Sequence, residues 1–435
     1  MRFLLLTLLV VGITSLSAQD KFVKVKDGGF TIEGKPYHFI GANMWYGCYL
    51  GSSKVPGGRE RLIRELDFLQ KEGITNLRVL GASESSLFPN HFPFTIQTAP
   101  AQYDEEVLEG LDFLLAEMGK RNMKAVVYLN NYWNWSGGMG QYLTWSDPDL
   151  AASVPFNPER KWEKEMALST YFYSNEDAQK NFRLYITNLI NRKNKFTSTS
   201  YKDDPTIMAW QLCNEPRPGM DGEHGESNIS PFMQWIDGTA AYIHSLDKNH
   251  LVSSGSEGKM GAIQNLAYYE QSHASKHIDY LTLHIWAKNW QWFDAERPAA
   301  TIERSKRNAV EYLNIHAELA TKMNKPLVIE EFGLDRDNKS LKPGSAAKLR
   351  DAYFETLFRS MLLQMKAGKT IAGANFWAWG GEGSPMTEIK VENVNAATYV
   401  GDPFVEPQGL NSVFAADKRT LKIIRKYNRK FNSLD

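Results

Sequence analysis

Beyond its opening segment, the chain alternates short apolar runs with longer amphipathic stretches. The short runs fall at 37–42, 76–80, 125–129, 207–212, 251–254, 280–285, 327–332 and 374–377. Between them, apolar residues recur every three or four positions. In 59–71, Leu62, Ile63, Leu66 and Leu69 share one helical face. Similar spacing predicts helices over 107–118, 178–190, 231–246, 303–323, 346–365 and 419–427. Several strand runs are continuously apolar, as strands buried on both faces require. Eight strands alternating with helices predict an α/β fold, a (β/α)8 TIM barrel. An open doubly wound sheet has the same rhythm but wants a glycine-rich phosphate loop after its first strand. Only Gly41-Ala42-Asn43 stands there. Residues 22–36 read as an N-terminal β-hairpin, with Asp27-Gly28 at the turn. Two connections are long: 130–174 after strand three and 379–411 after strand eight. In a barrel both would rim the C-terminal mouth, where catalytic groups sit.

The opening segment breaks the pattern. Met1-Arg2 precedes an apolar run from Phe3 to Ile13, and small residues follow at Ser15, Ser17 and Ala18. This predicts a signal peptide over 1–18 and a secreted or periplasmic mature chain. Nothing later reaches 18 consecutive apolar residues, so no membrane span is expected in the mature chain. No linker, repeat or low-complexity tract divides residues 19–435, which predicts one catalytic domain. Composition narrows the function. Lys plus Arg and Asp plus Glu both number 50 in 435 residues, so no basic surplus exists for nucleic acid. Two cysteines, Cys48 and Cys213, exclude a disulfide framework; they are either paired or buried free thiols. The nine histidines show no His-Glu-x-x-His spacing, so neither a catalytic metal nor a cofactor is expected.

Two carboxylates stand out. Glu215, in Asn214-Glu215-Pro216, falls at the end of the fourth strand. Glu331, in Glu330-Glu331-Phe332-Gly333, falls at the end of the seventh. Such a pair can face each other across a barrel mouth, and hydrolysis of a glycosidic bond needs it. One acid protonates the departing oxygen while the other attacks or activates water. Of twelve tryptophans, ten map to strand ends or the segments after them. Flat apolar platforms of that kind suit the C–H faces of sugar rings.

The motif set resembles glycoside hydrolase family 5, in its endo-β-1,4-mannanase branch. It runs through Asn76-Leu77-Arg78-Val79, Leu129-Asn130-Asn131 with Trp133, and Gly137-Gly138-Met139-Gly140-Gln141-Tyr142. It continues with Asn214-Glu215-Pro216, His284-Ile285-Trp286, Glu330-Glu331-Phe332-Gly333 and Phe376-Trp377-Ala378-Trp379. The resemblance implies Glu215 as general acid/base with a raised pKa, and Glu331 as nucleophile. Glu330 is its neighbour, expected to point away because strand side chains alternate. Arg78, Asn131, Trp133, Asn214, His284, Trp286 and Trp377 are implied as substrate-binding. Trp286 stands where the family usually carries a tyrosine. The implied partner is a β-mannan polysaccharide or oligosaccharide, cut internally by a monomer. Rival readings are an exo-acting β-mannosidase or β-1,4-glucanase on the same scaffold, or a carbohydrate-binding protein without catalysis.

Overall fold

The computed structural model describes residues 21–86, 92–153 and 162–434. The expected signal peptide, 1–18, lies outside them. Eight strands form the barrel: β1 Phe39–Asn43, β2 Asn76–Leu80, β3 Lys124–Tyr128, β4 Ile207–Gln211, β5 Leu251–Ser253, β6 Leu281–Ile285, β7 Leu327–Phe332 and β8 Ile371–Phe376. Each is followed by a helix: α1 Gly58–Glu72, α2 Glu105–Lys120, α3 Glu176–Ile190, α4 Glu223–Leu246, α5 Leu266–His273, α6 Pro298–Lys322, α7 Lys348–Lys366 and α8 Lys418–Phe431. The strands pair in parallel in the order β5-β4-β3-β2-β1-β8-β7-β6. The predicted barrel is therefore present.

The seam between β5 and β6 is closed by mixed bonds rather than a regular ladder. Asp279 N–H donates to Val252 O (2.8 Å), and Val252 N–H donates to the Asp279 carboxylate (2.7 Å). Thr282 Oγ1 donates to Ser256 O and His284 N–H to Glu257 O.

Local chemistry explains the helix starts. The Asp104 carboxylate accepts from the Glu106 and Val107 amides, and Asn175 caps α3 through Ala178 N. Helix α5 was not in the hydrophobic pattern. It has eight residues, too few to display a period, and Asn265 caps it. The long connection after β3 is largely helical, through Gly138–Ser146, Pro148–Ser153 and Trp162–Thr170.

The predicted hairpin becomes three short strands, Lys24–Lys26, Gly29–Ile32 and Lys35–Pro36. They close the barrel floor, where Val23 and Phe30 join Phe39, Val126, Met208 and Tyr280 in one buried cluster. Above this apolar floor the interior turns polar. Asn76, Asn43, Arg78, Gln211, Glu330 and Asn375 are all buried there. Cys48 and Cys213 are both free and buried, each thiol pushed up by burial, which settles them as unpaired. Among the described residues no helix is long and apolar enough to cross a membrane.

Candidate active site

Glu215 follows β4 and sits in the left-handed region, at φ 53°. A non-glycine residue there carries a cost of order 1 kcal/mol. Bonds on every side hold it: its N–H donates to Gly255 O (3.0 Å) and Trp133 Nε1 donates to its Oε2 (2.6 Å). Its Oε1 lies 2.6 Å from His284 Nδ1. Gly255 is required for this approach, because a Cβ there would collide with Cys213 O.

Glu331 ends β7 opposite. Arg78 Nη1 donates to its Oε1 (2.5 Å) and Trp286 Nε1 to its Oε2 (3.2 Å). The indole therefore supplies the donor that a tyrosine hydroxyl would supply elsewhere. His284 Nδ1 is 3.3 Å from Glu331 Oε2, so one imidazole spans both carboxylates. Ligand atoms of Glu215, His284 and Glu331 lie within 4.8 Å of one another. That spacing is also open to a metal ion. Yet each carboxylate already takes an N–H donor, and the imidazole nitrogen faces both, which suits proton handling instead.

The structure corrects two expectations. Glu330 does not point away. The register between β6 and β7 slips after Leu283↔Ile329, so His284 faces Glu331 and Glu330 is the extra residue. The bulge lets successive carboxylates both face inward. Glu330 sits inside the barrel, taking a bond from Gln211 Nε2 (2.6 Å) and lying 3.8 Å from Arg78 Nε. Burial raises its pKa, against the pull of Arg78 and His284.

Nor is the Glu215 pKa raised. Burial alone pushes it up. The His284 bond and charge, Arg217 and the Trp133 indole outweigh that and hold it at about 2. Burial likewise pushes His284 down, but the charge of Glu331 and the bonds to both carboxylates carry it up to about 10. The imidazole and the Glu215 carboxylate, 2.6 Å apart, thus hold a transferable proton between them.

A cavity of about 590 Å³ opens over this pair. Trp133, Asn214, Glu215, Trp286, Glu331 and Trp377 line it. Arg78, Asn131 and His284 were expected to touch substrate as well, but each is fully buried and outside the lining. They act from behind. Arg78 Nη2 donates to Asn214 Oδ1 (2.8 Å), and Asn214 Nδ2 donates to Asn131 Oδ1 (3.1 Å). Asn131 also accepts from Trp133 N–H (3.1 Å), so one amide orients two lining residues.

Sequence reasoning missed Arg217, Glu257, Met260 and Asn411, which also line the cavity. Arg217 and Glu257 form a bidentate pair at 2.5 and 2.7 Å. Burial and the nearby Glu215 charge raise Glu257 to about 7, against the pull of Arg217. Arg217 stands two residues after Glu215, a proximity that could have flagged it; Glu257 carried no local signal.

A family model described as GH family 5 beta-mannosidase-like matches residues 20–435. A putative mannan endo-1,4-beta-mannosidase 4 of Arabidopsis thaliana is 30% identical over 380 residues, covering 84% of each chain. The crystal structure of a glycoside hydrolase family 5 mannosidase from Rhizomucor miehei is 32% identical. It superposes with a TM-score of 0.83 over 95% of this chain and 98% of that one. A variant of the Rhizomucor miehei mannosidase in complex with mannosyl-fructose gives 0.82 at 32% identity, with coverage of 95% and 98%.

Proposed function

Because the chain belongs to the β-mannosidase-like group of glycoside hydrolase family 5, a hydrolase of mannosides, we propose that it cleaves β-1,4-mannosidic bonds with retention of configuration. The observation that carries the retaining reading is the carboxylate spacing. Nearest oxygens of Glu215 and Glu331 within 4.8 Å fit the short separation of retaining enzymes, about 5–5.5 Å, rather than the about 6.5–9.5 Å of inverting ones.

Glu331 is the nucleophile. Its oxygen forms a bond to the anomeric carbon as the glycosidic C–O bond breaks. Arg78 and Trp286 orient the carboxylate and keep it anionic. Glu215 delivers the proton to the departing oxygen, drawing it from His284 Nδ1 at 2.6 Å. In the second half, Glu215 takes a proton from water while the water oxygen displaces Glu331, and the proton returns from Glu215 to His284 Nδ1 across the same 2.6 Å contact, restoring the starting state. Asn214 faces the glycone with its amide fixed at both ends, which suits a hydrogen bond to a sugar hydroxyl. Trp377 and Trp286, centroids 6.1 Å apart and nearly perpendicular, offer apolar faces to the ring.

The Arabidopsis relative's name states internal cleavage of mannan, the mode the sequence led us to expect. A second reading, cleavage at a chain end, is favoured by an aromatic plug beside the site: Trp45 is fully buried, with ring centroids 5.5 Å from Phe404 and 6.1 Å from Trp135, which lines the cavity. We further infer export of the chain, supported by the signal-like character of residues 1–18.

The test is hydrolysis of β-1,4-mannan and manno-oligosaccharides by wild type and Glu331→Ala. Loss of sugar release in the variant, with the fold intact by circular dichroism, supports the assignment. Near-normal hydrolysis by the variant would refute it.

A further inference from the structure

The outer wall of the barrel carries a strongly cationic strip that the active site does not use. Seven of the fourteen residues of α8 are Lys or Arg, and none is Asp or Glu. In a chain of zero net charge this is a local excess. With 3.6 residues per turn, the seven fall in an arc of about 140°. Opposite them Leu421, Ile424, Tyr427 and Phe431 are buried against the barrel. None of the seven cations lines the catalytic cavity.

The strip has two edges and a centre. On the α7 side Lys426 Nζ donates to Glu355 Oε1 (2.6 Å), and Arg419 Nε lies 3.3 Å from Asp351 Oδ2. On the α1 side Arg425 Nε donates to Glu72 Oε2 (2.8 Å). Carboxylates therefore border both flanks. Between them Lys418, Lys422 and Arg429 share one line along the helix. Among the described residues none of these three has an ion-pair partner. Lys418 is steadied over the Phe68 ring (5.5 Å) and donates to Ala415 O (2.8 Å), while Lys422 and Arg429 are exposed. With Arg425 beside them, the cations stand about 5–6 Å apart over a line of about 16 Å.

Shape and charge spacing select the partner. A helix that enters a bilayer needs a free apolar face, and that of α8 is buried. A flat anionic surface would also meet the flanking Glu355. Duplex nucleic acid carries one charge per about 1.7 Å, far denser than this line. A linear polysaccharide with one carboxylate per sugar fits better: a narrow thread with spaced charges, and hydroxyls between them to accept from Lys and Arg. We propose that the Lys418–Lys422–Arg429 line of α8 binds a linear acidic polysaccharide of the uronate class. The neutral mannoside is cut in the cavity while the barrel wall holds an anionic chain. This binding does not depend on the β-mannoside reaction.

The test is binding of the full chain to polygalacturonate, by retention on a polygalacturonate column and by titration calorimetry, with mannan hydrolysis followed in parallel. Wild type should be retained at low salt and released as salt rises. Lys422→Gln with Arg429→Gln should weaken binding about tenfold and leave mannan hydrolysis unchanged. Lys180→Gln with Lys276→Gln, which removes two exposed cations on α3 and beyond α5, should bind as wild type does. No retention of wild type, or equal weakening by both double variants, would overturn the proposal. So would tighter binding to duplex DNA or to phosphatidylserine vesicles than to polygalacturonate. Absence of mannan hydrolysis in every form would sink the β-mannoside reading alone.

Discussion

One proton shared by His284 and Glu215 decides the chemistry at the scale of single residues. With Glu215 held at about 2 and His284 raised to about 10, the pair keeps a single proton across the neutral range. The signs give a stability profile. The raised His284 contributes fully below its unfolded value near 6.5, and that contribution is lost as pH climbs toward 10. The lowered Glu215 contributes above about 4.5, and loses its contribution as pH falls toward 2. In His284→Gln the carboxyl alone must carry the proton. The alkaline limb of kcat/KM should then move acidward by about two pH units or more. An unmoved limb would show that the imidazole does not store the proton. Glu215→Ala should lower kcat on unactivated mannan by about 10²–10⁴-fold, the usual worth of a general acid, read by steady-state kinetics. Both carboxylates were legible in the sequence because each ends a strand beside a distinctive neighbour. The protonation pattern was not legible, since it depends on His284 reaching both carboxylates from another strand.

Secondary-structure elements deliver these side chains, and two irregularities matter most. The bulge opposite His284 turns Glu330 and Glu331 inward together. Strict alternation, the rule available to a sequence reader, sends one of them outward. The β5/β6 seam is the other irregularity, because the Asp279 carboxylate stands in for a backbone acceptor there. Asp279→Ala should cost about 1–3 kcal/mol, the price of an unsatisfied buried amide. Urea denaturation would measure it, and hydrogen exchange should locate the loss at Val252. Eight strands and seven of the eight barrel helices could be read from periodicity. Helix α5 could not, having only two turns.

Taken whole, the molecule matches its charge to a neutral substrate. Equal numbers of acidic and basic residues leave no long-range field to steer a ligand. Accordingly, kcat/KM on plain mannan should vary by less than about twofold between low and high salt, since screening has little to screen. The tryptophan surplus is now apportioned. Trp133, Trp135, Trp286, Trp290 and Trp377 line the main cavity. Trp45 and Trp379 are fully buried supports, bonded to Gly401 O and to the Glu65 carboxylate. Composition and strand-end position could place most of them at one end of the barrel. They could not separate platform from plug, because that distinction depends on how distant loops pack on one another. In the proposed reaction Glu331 forms a covalent bond to the sugar, and Glu215 then directs water to the face the leaving group vacated. An NMR time course of mannosidic cleavage tests it most directly. The β-anomer of the newly released sugar should appear first and mutarotate later; the α-anomer appearing first would contradict it.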